Sequence, residues 1–277
     1  MKVGIIGLGL MGGSFALALR AHYKKELEIL GYDHNDQHCI EALQLNLVDK
    51  ITDDLEAFYP LDLIVLAIPV DGIIQIIKEF DGISEHTTII DFGSTKKQIV
   101  DSIPPSIRKN FVAAHPMTGT EKFGPSAAVP DLYRGQVVVL CDIEESGEHQ
   151  RKFAKRIFTD LGMKIFYMEA GEHDRHAAFI SHMPHVLSYS LANTVMKQEN
   201  PKAILALAGG GFRDMSRIAK SSPDMWTDIF RQNRQHLLQA IESFKGELEQ
   251  CQQLVEQEEW EALHHWMEEA NRLHEIL

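Results

Sequence analysis

Cysteine is scarce in this chain, and long apolar runs are absent. The three cysteines, Cys39, Cys141 and Cys251, lie far apart and form no C-x-x-C pair. Neither a disulfide framework nor a structural zinc site is therefore expected. No apolar run approaches the ~18–20 residues that cross a bilayer, and the first residues contain no signal-peptide pattern. These absences predict a cytoplasmic protein without a membrane segment.

Positive charge is also in short supply. The chain has 27 Lys and Arg against 40 Asp and Glu, a formal net charge of −13. This charge repels nucleic acid and anionic membranes, so neither is expected as a partner. Residues 242–277 contain ten Glu against Lys245 and Arg272. Apolar residues recur there at helical spacing and include Trp260 and Trp266, which predicts amphipathic helices that pack within the subunit or on another one.

The chain divides into two regions of different pattern. In the first, short apolar runs alternate with helical stretches, and these runs lie at residues 3–6, 28–32, 63–67, 87–91, 111–114, 136–140 and 164–167. This alternation predicts an α/β Rossmann-type domain over residues 1–168, with a doubly wound, mostly parallel sheet. The β pattern then stops, and an all-α domain is expected over residues 169–277.

Proline and glycine divide the helical region. One long helix is predicted over residues 173–197, with a kink at Pro184. The further breaks are predicted at Asn200-Pro201, at the glycines of residues 209–211 and at Ser222-Pro223.

A Gly-rich turn follows the first predicted strand. It matches G-x-G-x-x-G and leads directly into a helix, the context that dinucleotide binding requires; its residues are Gly7, Leu8, Gly9, Leu10, Met11 and Gly12. Gly7 permits the tight turn, Gly9 lets the backbone approach a pyrophosphate, and Gly12 allows close packing of helix on strand. The helix N-terminus offers N–H groups to the phosphates. We predict a dinucleotide site here, the alternative being a Gly-rich turn without a ligand.

An acidic residue, Asp33, ends the second predicted strand. An acid at this place accepts hydrogen bonds from the adenosine ribose hydroxyls and repels a 2′-phosphate. No Arg follows in residues 34–37. The sequence therefore predicts NAD rather than NADP as the cofactor.

Two loops after later strands hold the candidate catalytic groups. Dinucleotide folds place reacting groups beyond the carboxyl ends of the strands. His115 ends the fifth predicted strand, where Pro116 restricts it to an extended conformation. An imidazole with a pKa near neutrality suits uptake of a hydroxyl proton as a hydride leaves the same carbon. Ser94, on the neighbouring loop, is expected to hydrogen-bond and orient this imidazole. A packing role for His115 is the alternative.

The helical region offers a second set of polar side chains. His182 and His185 are three residues apart and share a helix face, but no acidic or Cys partner has metal-ligand spacing, so no metal site is predicted. Arg217 suits a bidentate clamp on a carboxylate, since its planar fork matches carboxylate geometry. The alternative is an intrachain pair of Arg213 or Arg217 with Asp214. Lys96 is the nearest cation in the first region.

Taken in order, these segments resemble the prephenate/arogenate dehydrogenase family of tyrosine biosynthesis. The resemblance covers nearly the whole chain and rests on residues 7–12, 91–96, 115–121, 181–185, 210–214 and 217–226. It implies an N-terminal nucleotide domain, a helical domain that forms a homodimer, and oxidative decarboxylation of a cyclohexadienyl acid. The expected reaction converts prephenate and NAD into 4-hydroxyphenylpyruvate, CO₂ and NADH.

The same resemblance implies roles for single residues. His115 is implied to contact the ring hydroxyl, Ser94 to support it, and Arg217 to pair with a substrate carboxylate. The other pocket residues it implies are Ser181, His182, His185, Glu121, Ser221 and Trp226. The choice between prephenate and arogenate stays open, because His185 suits a keto acid and Glu121 suits a cationic amine.

Two hypotheses compete with this one. Another two-domain dehydrogenase, such as a β-hydroxyacid dehydrogenase or an imine reductase, would share the Gly-rich turn but leave the Ser-His-x-Pro-His pattern of residues 181–185 unexplained. A non-catalytic NAD-sensing protein would use the helical region as an interaction module. Formation of NADH from prephenate distinguishes all three.

Overall fold

The computed structural model describes residues 1–24 and 27–276, and within them all strands belong to one sheet. The strands are β1 (Lys2–Ile6), β2 (Glu28–Tyr32), β3 (Lys50–Ile51), β4 (Leu63–Leu66), β5 (Thr88–Asp91), β6 (Phe111–Pro116), β7 (Val137–Cys141) and β8 (Lys164–Met168). Their order is β3-β2-β1-β4-β5-β6-β7-β8, and only β6 and β7 pair antiparallel. The predicted doubly wound, mostly parallel sheet is confirmed. The sequence missed β3, because two residues are too few to show a period.

Helices cover both faces of the sheet and make up most of the described residues after it. Those among the strands are α1 (Leu10–Tyr23), α2 (Asp36–Gln44), α3 (Val70–Ile76), α4 (Lys97–Ser102) and α5 (Glu148–Asp160). Those beyond the sheet are α6 (Ala170–Ala177), α7 (Met183–Met196), α8 (Pro201–Ala206), α9 (Gly210–Ser216), α10 (Pro223–Gln232), α11 (Arg234–Glu256) and α12 (Trp260–Asn271). The described residues after Met168 contain no strand, as expected of an all-α region; Leu277, its last residue, lies outside the described residues.

The core of the first region lies on both faces of the sheet. All residues of β4 and β5 are buried, which explains why these strands are short apolar runs rather than alternating patterns. On one face the core includes Phe15 of α1 and Ile157 of α5. On the other face it includes Ile73 of α3 and Ile99 of α4. Between β2 and β4, β1 lies where the winding direction reverses, and dinucleotide folds bind their ligand beside that point.

The long helix predicted over residues 173–197 is interrupted. A π-helical turn, Ala178–His182, joins α6 to α7, and Pro184 lies in the first turn of α7. Proline has no N–H for the carbonyl four residues earlier, and its ring crowds that carbonyl, so the regular α-helix cannot continue through it. Where the sequence predicted one helix with a kink at Pro184, the structure has a widened turn just before the proline.

The other helix boundaries follow the predicted breaks. Asn200 caps α8, which begins at Pro201, through a hydrogen bond from the backbone N–H of Ala203. Ser222 caps α10 in the same way, and Pro223 begins that helix. The glycines of residues 209–211 mark the start of α9.

Candidate active site

The Gly-rich turn after β1 has the shape that a dinucleotide requires. Gly7 has a φ of +97°, and a Cβ there would lie 2.3 Å from the carbonyl oxygen of Ala67. A Cβ on Gly12 would lie 1.9 Å from the carbonyl oxygen of Gly7, so α1 packs directly on the turn. In front of Gly9, by contrast, a Cβ would meet nothing closer than 4.0 Å. This open space at the N-terminus of α1 fits a pyrophosphate that approaches the backbone.

The apolar members of this turn face inward. Leu8 is fully buried and Leu10 nearly so, and both belong to the core under α1. Met11 packs against the same core. Leu8 and Leu10 can therefore meet a cofactor through their backbone alone, whereas the Met11 side chain is only partly buried.

Asp33 directly follows β2 and lies beside the turn. Its side chain is only 6% exposed, and its carboxylate accepts the N–H groups of Leu8 at 2.8 Å and Asn35 at 2.9 Å. The imidazoles of His34 and His38 each lie 3.4 Å from a carboxylate oxygen. A carboxylate has about four acceptor positions, and these four contacts occupy them, so a ribose hydroxyl would take the place of one of the two imidazoles.

His115 lies next to the end of β6 and is half-buried. Its Nδ1 lies 2.8 Å from Nε2 of His173, a residue of α6. Burial lowers the pKa of His115 well below its usual value, and the neighbouring His173, Lys96 and His182 lower it further. The sequence-based expectation of a pKa near neutrality is therefore wrong in its value, although a low pKa leaves the imidazole unprotonated at neutral pH.

The hydrogen bond expected from Ser94 comes from another residue. Ser94 is half-buried in the loop after β5, and within residues 1–24 and 27–276 the His115 ring is hydrogen-bonded to His173 instead. His173 is buried in α6, which contacts α4 just beyond the Ser94 loop. A role for Ser94 toward the substrate stays a prediction.

Lys96 is unavailable as a substrate-binding cation. It is fully buried and forms an ion pair with Asp91, and its Nζ donates to the carbonyl of Ala114 at 2.7 Å. Asp91 also accepts the N–H groups of Gly93 and Ala114. Burial raises the pKa of Asp91, while Lys96 and these N–H groups act against that rise. The pair ties the end of β5 to β6 next to His115.

The two histidines of the helical region meet on one tryptophan. The ring of His185 stacks on Trp226 with centroids 3.4 Å apart, and His182 meets the same indole edge-on at 6.0 Å. His182 is 1% exposed, and burial lowers its pKa to about 4. The Nδ2 of Asn233 donates to Nδ1 of His182 at 3.1 Å. Burial lowers the pKa of His185 too, and the nearby Arg217 adds to that effect.

Two serines complete this part of the site through their backbone. The carbonyl of Ser181 accepts the Nδ1–H of His185 at 2.9 Å. The carbonyl of Ser221, a residue only 8% exposed, accepts the hydroxyl of Tyr189 at 3.0 Å. The indole N–H of Trp226 is buried without a partner among the described residues.

Arg217 reaches across to the first region. Its guanidinium lies 3.8 Å from the carboxylate of Glu121, and the Arg217 side chain is 60% exposed. Arg213 donates instead to the carbonyl of Ala208 at 3.3 Å. Neither arginine pairs with Asp214 within the part of the chain that the structure describes, so the alternative of a pair with Asp214 is wrong, and the intrachain partner of Arg217 is Glu121.

The sequence missed His173, Asp174 and Asn233. Nδ1 of His173 donates to Asp174 at 2.9 Å, and the Asn233 amide donates to the carbonyl of Asp174 at 2.6 Å. In the sequence, His173 and Asp174 stand among Glu172, Arg175 and His176, which is the pattern of a solvated helix. No periodicity distinguishes these buried residues from their exposed neighbours.

Potential metal ligands approach one another elsewhere. Among the described residues, ligand atoms of His264, His265 and Glu268 lie within 4.8 Å of one another on α12, and all three are exposed. Glu268 lies 3.1 Å from Nδ1 of His265, so an ordinary surface ion pair accounts for the cluster. The absence of a metal site stays a prediction.

Comparison with known proteins agrees with this geometry. A family model described as the nucleotide-binding domain of prephenate dehydrogenase matches residues 15–167, and one described as its dimerization domain matches residues 169–269. Prephenate dehydrogenase of Bacillus subtilis (strain 168) is 32% identical over 273 residues, which cover 96% of this chain and 73% of that protein.

Two solved structures are similar over nearly the whole chain. A crystal structure of prephenate dehydrogenase from Aquifex aeolicus, in complex with hydroxyphenyl propionate and NAD⁺, shares 35% identity with a TM-score of 0.92 and covers 100% of this chain and 98% of that one. Synechocystis arogenate dehydrogenase shares 26% identity with a TM-score of 0.80, over 99% of both chains.

The Gly-rich turn at the reversal of the sheet, with a helical region after it, is the arrangement of an NAD-dependent dehydrogenase. Within that class, the chain belongs to the prephenate dehydrogenase family. No described helix is both long and apolar enough to cross a membrane.

Proposed function

We propose that this chain catalyses the NAD-dependent oxidative decarboxylation of prephenate to 4-hydroxyphenylpyruvate. One observation supports it most: a connected set of side chains links a proton acceptor to a carboxylate-binding cation. The Asn233 amide donates to Nδ1 of His182 and to the carbonyl of Asp174, which follows the His173 that contacts His115. Arg217 begins a short helical turn that packs on α7, the helix of His185. Both His182 and His185 contact Trp226. A substrate with a hydroxyl at one end and carboxylates elsewhere suits this set.

The cofactor is NAD, and when bound it supplies the nicotinamide that accepts a hydride. Gly9 offers the open backbone for its pyrophosphate. Asp33 offers its carboxylate to the ribose hydroxyls, and no Arg of residues 34–37 is present to receive a 2′-phosphate.

The protein needs few groups for the reaction. His115 takes the proton of the ring hydroxyl as the electron pair of the neighbouring C–H bond leaves as hydride. Loss of the ring carboxylate as CO₂ then makes the ring aromatic, and the proton returns to the phenol oxygen. Arg217 holds a carboxylate of the substrate, for which it must exchange its contact with Glu121. Positioning of the ring between these groups contributes further to the rate acceleration.

Arogenate is the second candidate substrate, and two contacts favour it. The Nδ1–H of His185 donates to the Ser181 carbonyl, so the neutral ring offers a lone pair on Nε2. That nitrogen accepts an amine N–H but cannot donate to a keto oxygen, contrary to the sequence-based suggestion for His185. Glu121, near Arg217, offers a carboxylate to the same ammonium.

The division of labour follows the predicted domains. We assign NAD binding to residues 1–168, and substrate binding with assembly to residues 169–277. We further infer a homodimer, because the helical part exposes large apolar side chains such as Leu207, Met215 and Trp260. Light scattering at micromolar concentration is expected to give twice 31.3 kDa, and a monomer alone would contradict the dimer. The three free cysteines suit the reducing cytoplasm, which we propose as the location.

One assay tests the proposed activity. The purified chain is mixed with NAD and either prephenate or arogenate, and NADH is followed by absorbance. We expect NADH to form when NAD and prephenate are both present and not when either is omitted. We also expect a higher kcat/KM for prephenate than for arogenate. A higher kcat/KM for arogenate would identify arogenate as the preferred substrate. If neither compound gives NADH, the chain is a different dehydrogenase or a non-catalytic NAD sensor.

A further inference from the structure

His115 is the first of three side chains in a line. Its Nδ1 lies 2.8 Å from Nε2 of His173, and Nδ1 of His173 lies 2.9 Å from Oδ1 of Asp174. His173 and Asp174 are both buried, at 2% and 3% exposure. The line therefore runs from the half-buried strand end into the interior.

The carboxylate at the buried end fixes where the protons lie. Oδ1 of Asp174 accepts the backbone N–H of Lys96 at 2.7 Å, and Oδ2 accepts that of Lys97 at 3.0 Å. Burial alone would raise the pKa of Asp174, but the hydrogen bonds from His173 and these N–H groups outweigh it and lower the pKa. Asp174 is thus ionised and can only accept, so Nδ1 of His173 bears a proton.

Each ring passes this constraint to the next. A neutral imidazole with its proton on Nδ1 has a lone pair on Nε2, so His173 accepts a hydrogen bond from His115. Nδ1 of His115 then bears the proton of that ring, and Nε2 has the lone pair. Within the described residues, hydrogen bonding to the His115 ring involves Nδ1 alone.

We propose that His173 and Asp174 are positioning residues that hold His115 in the tautomer whose Nε2 accepts the hydroxyl proton of the substrate. This inference rests on the role proposed above for His115. In serine hydrolases a buried carboxylate fixes the tautomer of the catalytic histidine in the same way. Here a second imidazole stands between the carboxylate and the reacting ring.

The surroundings add charge but no substitute for this contact. The titratable groups near the line include Lys96 with its partner Asp91, His182, and His176, which lines an apolar cavity of about 190 Å³ together with His173. A second proton on His173 would occupy Nε2 and reverse its hydrogen bond with His115. Nε2 of His115 would then carry the ring proton and could no longer act as a base.

The tautomer can be measured directly in the wild-type protein. Nitrogen NMR of histidine-labelled protein distinguishes a ring nitrogen that bears a proton from one with a lone pair. We expect the proton of His115 on Nδ1, with signals assigned by their loss in His115→Asn. A proton on Nε2 overturns the inference even if His115→Asn is inactive, whereas an active His115→Asn overturns the proposed function and leaves the tautomer result standing.

Substitution of His173 separates positioning from packing. His173→Phe removes the acceptor and is expected to lower kcat on the order of 10²-fold, with little change in KM or NAD affinity. His173→Gln places an amide oxygen at a similar reach and is expected to recover most of that loss. His176→Gln, on the same helix and outside the line, is the matched control and should leave kcat unchanged. Equal kcat losses in the Phe and Gln variants would overturn the inference.

A double-mutant cycle tests Asp174. Asp174→Asn disturbs the Lys96 and Lys97 contacts in any background, but it affects the tautomer only where His173 is present. We expect a loss in kcat of about 10²-fold in the wild-type background and of less than about tenfold in the His173→Gln background. Equal losses in both backgrounds would show a purely structural role and overturn the inference. NAD affinity and melting temperature, measured on each variant, identify a folding defect.

Discussion

The two halves of the chain bury their apolar side chains to very different degrees. In the first half, apolar residues fill two large clusters, one on each face of the sheet. In the helical half the buried cluster consists of Ala178, Met183 and Ala240, while Leu207 is 88% exposed. Large apolar surface in water favours association. This difference is what we expect if the first half folds around its own core and the helical half completes its core against a second subunit, as proposed above.

The halves also divide the chemistry. His115, on the well-packed sheet, is held by hydrogen bonds and a neighbouring buried ion pair. Arg217, in the helical half, is mostly exposed and makes one long contact, to Glu121. We therefore expect changes in the first half to act on the chemical step and changes in the second to act on substrate binding and assembly.

The largest effect is expected at His115. His115→Asn should lower kcat by ~10²–10⁴, because the proposed acceptor of the hydroxyl proton is lost, while KM and NAD affinity change little. Steady-state kinetics and calorimetric NAD titration measure this. His149→Asn, at an exposed histidine of the same half, is the control. If the His115 variant keeps most of its kcat, His115 is a packing residue and the division of chemistry fails.

Arg217→Ala should raise KM for the substrate by about 10²-fold with NAD affinity nearly unchanged, because a substrate carboxylate loses its cation. Arg217→Lys should recover part of the loss, since an ammonium cannot form the bidentate fork. Arg213→Ala is the control: it loses the hydrogen bond to Ala208 and should lower the melting temperature alone. If Arg213→Ala loses substrate binding and Arg217→Ala only melts earlier, Arg213 is the substrate-binding arginine and Arg217 the structural one.

Leu207→Glu tests the incomplete core of the helical half. If Leu207 lies in a subunit interface, loss of its burial should raise the dissociation constant of the dimer by about 10–100-fold. Sedimentation across a dilution series measures it. Ile40→Glu, at an exposed apolar residue of α2 in the first half, should leave assembly unchanged. If the two variants dissociate equally, the contrast between the halves does not concern assembly.

Asp33→Ser tests the cofactor preference of the first half. The wild type should prefer NAD by at least about tenfold, or ~1.4 kcal/mol, and the variant should bind NAD more weakly and NADP better. The ratio of kcat/KM for the two cofactors measures this, and Asp36→Ser on the exposed start of α2 is the control. If the wild type used both cofactors equally well, the proposed contact of Asp33 with the ribose would be wrong.

The smallest effect concerns pH. His115 must be unprotonated to act as a base, and burial lowers its pKa, so kcat/KM should change less than about twofold between pH ~7 and ~8 and fall only in acid. A several-fold rise over that range would contradict it. His182, with a pKa lowered to about 4, binds a proton more weakly folded than unfolded. Stability is therefore full above its usual pKa and declines as pH falls toward 4, so melting must be followed in parallel.

Local pattern explains which parts of the molecule the sequence could predict. The buried strands and the glycine turn are contiguous stretches of one residue character, apolar or glycine-rich, so the sequence alone predicts them. The contact of His115 with His173 joins residues 58 positions apart, and the burial of Lys96 depends on Asp91 and Ala114 arriving from two strands. Such long-range contacts depend on how the elements pack in three dimensions, and residue type alone does not predict them.

The π-helical turn Ala178–His182 has a geometric consequence for the binding surface. Such a turn amounts to one extra residue inserted in an α-helix, and each residue turns the helix by about 100°. Everything after the turn is thereby rotated about the helix axis relative to α6. His173 before the turn and His185 after it would occupy a different relative azimuth on a regular helix. The turn thus sets the direction in which the His185 side of α7 points relative to the sheet, and removal of one residue from the turn would rotate that side as a unit.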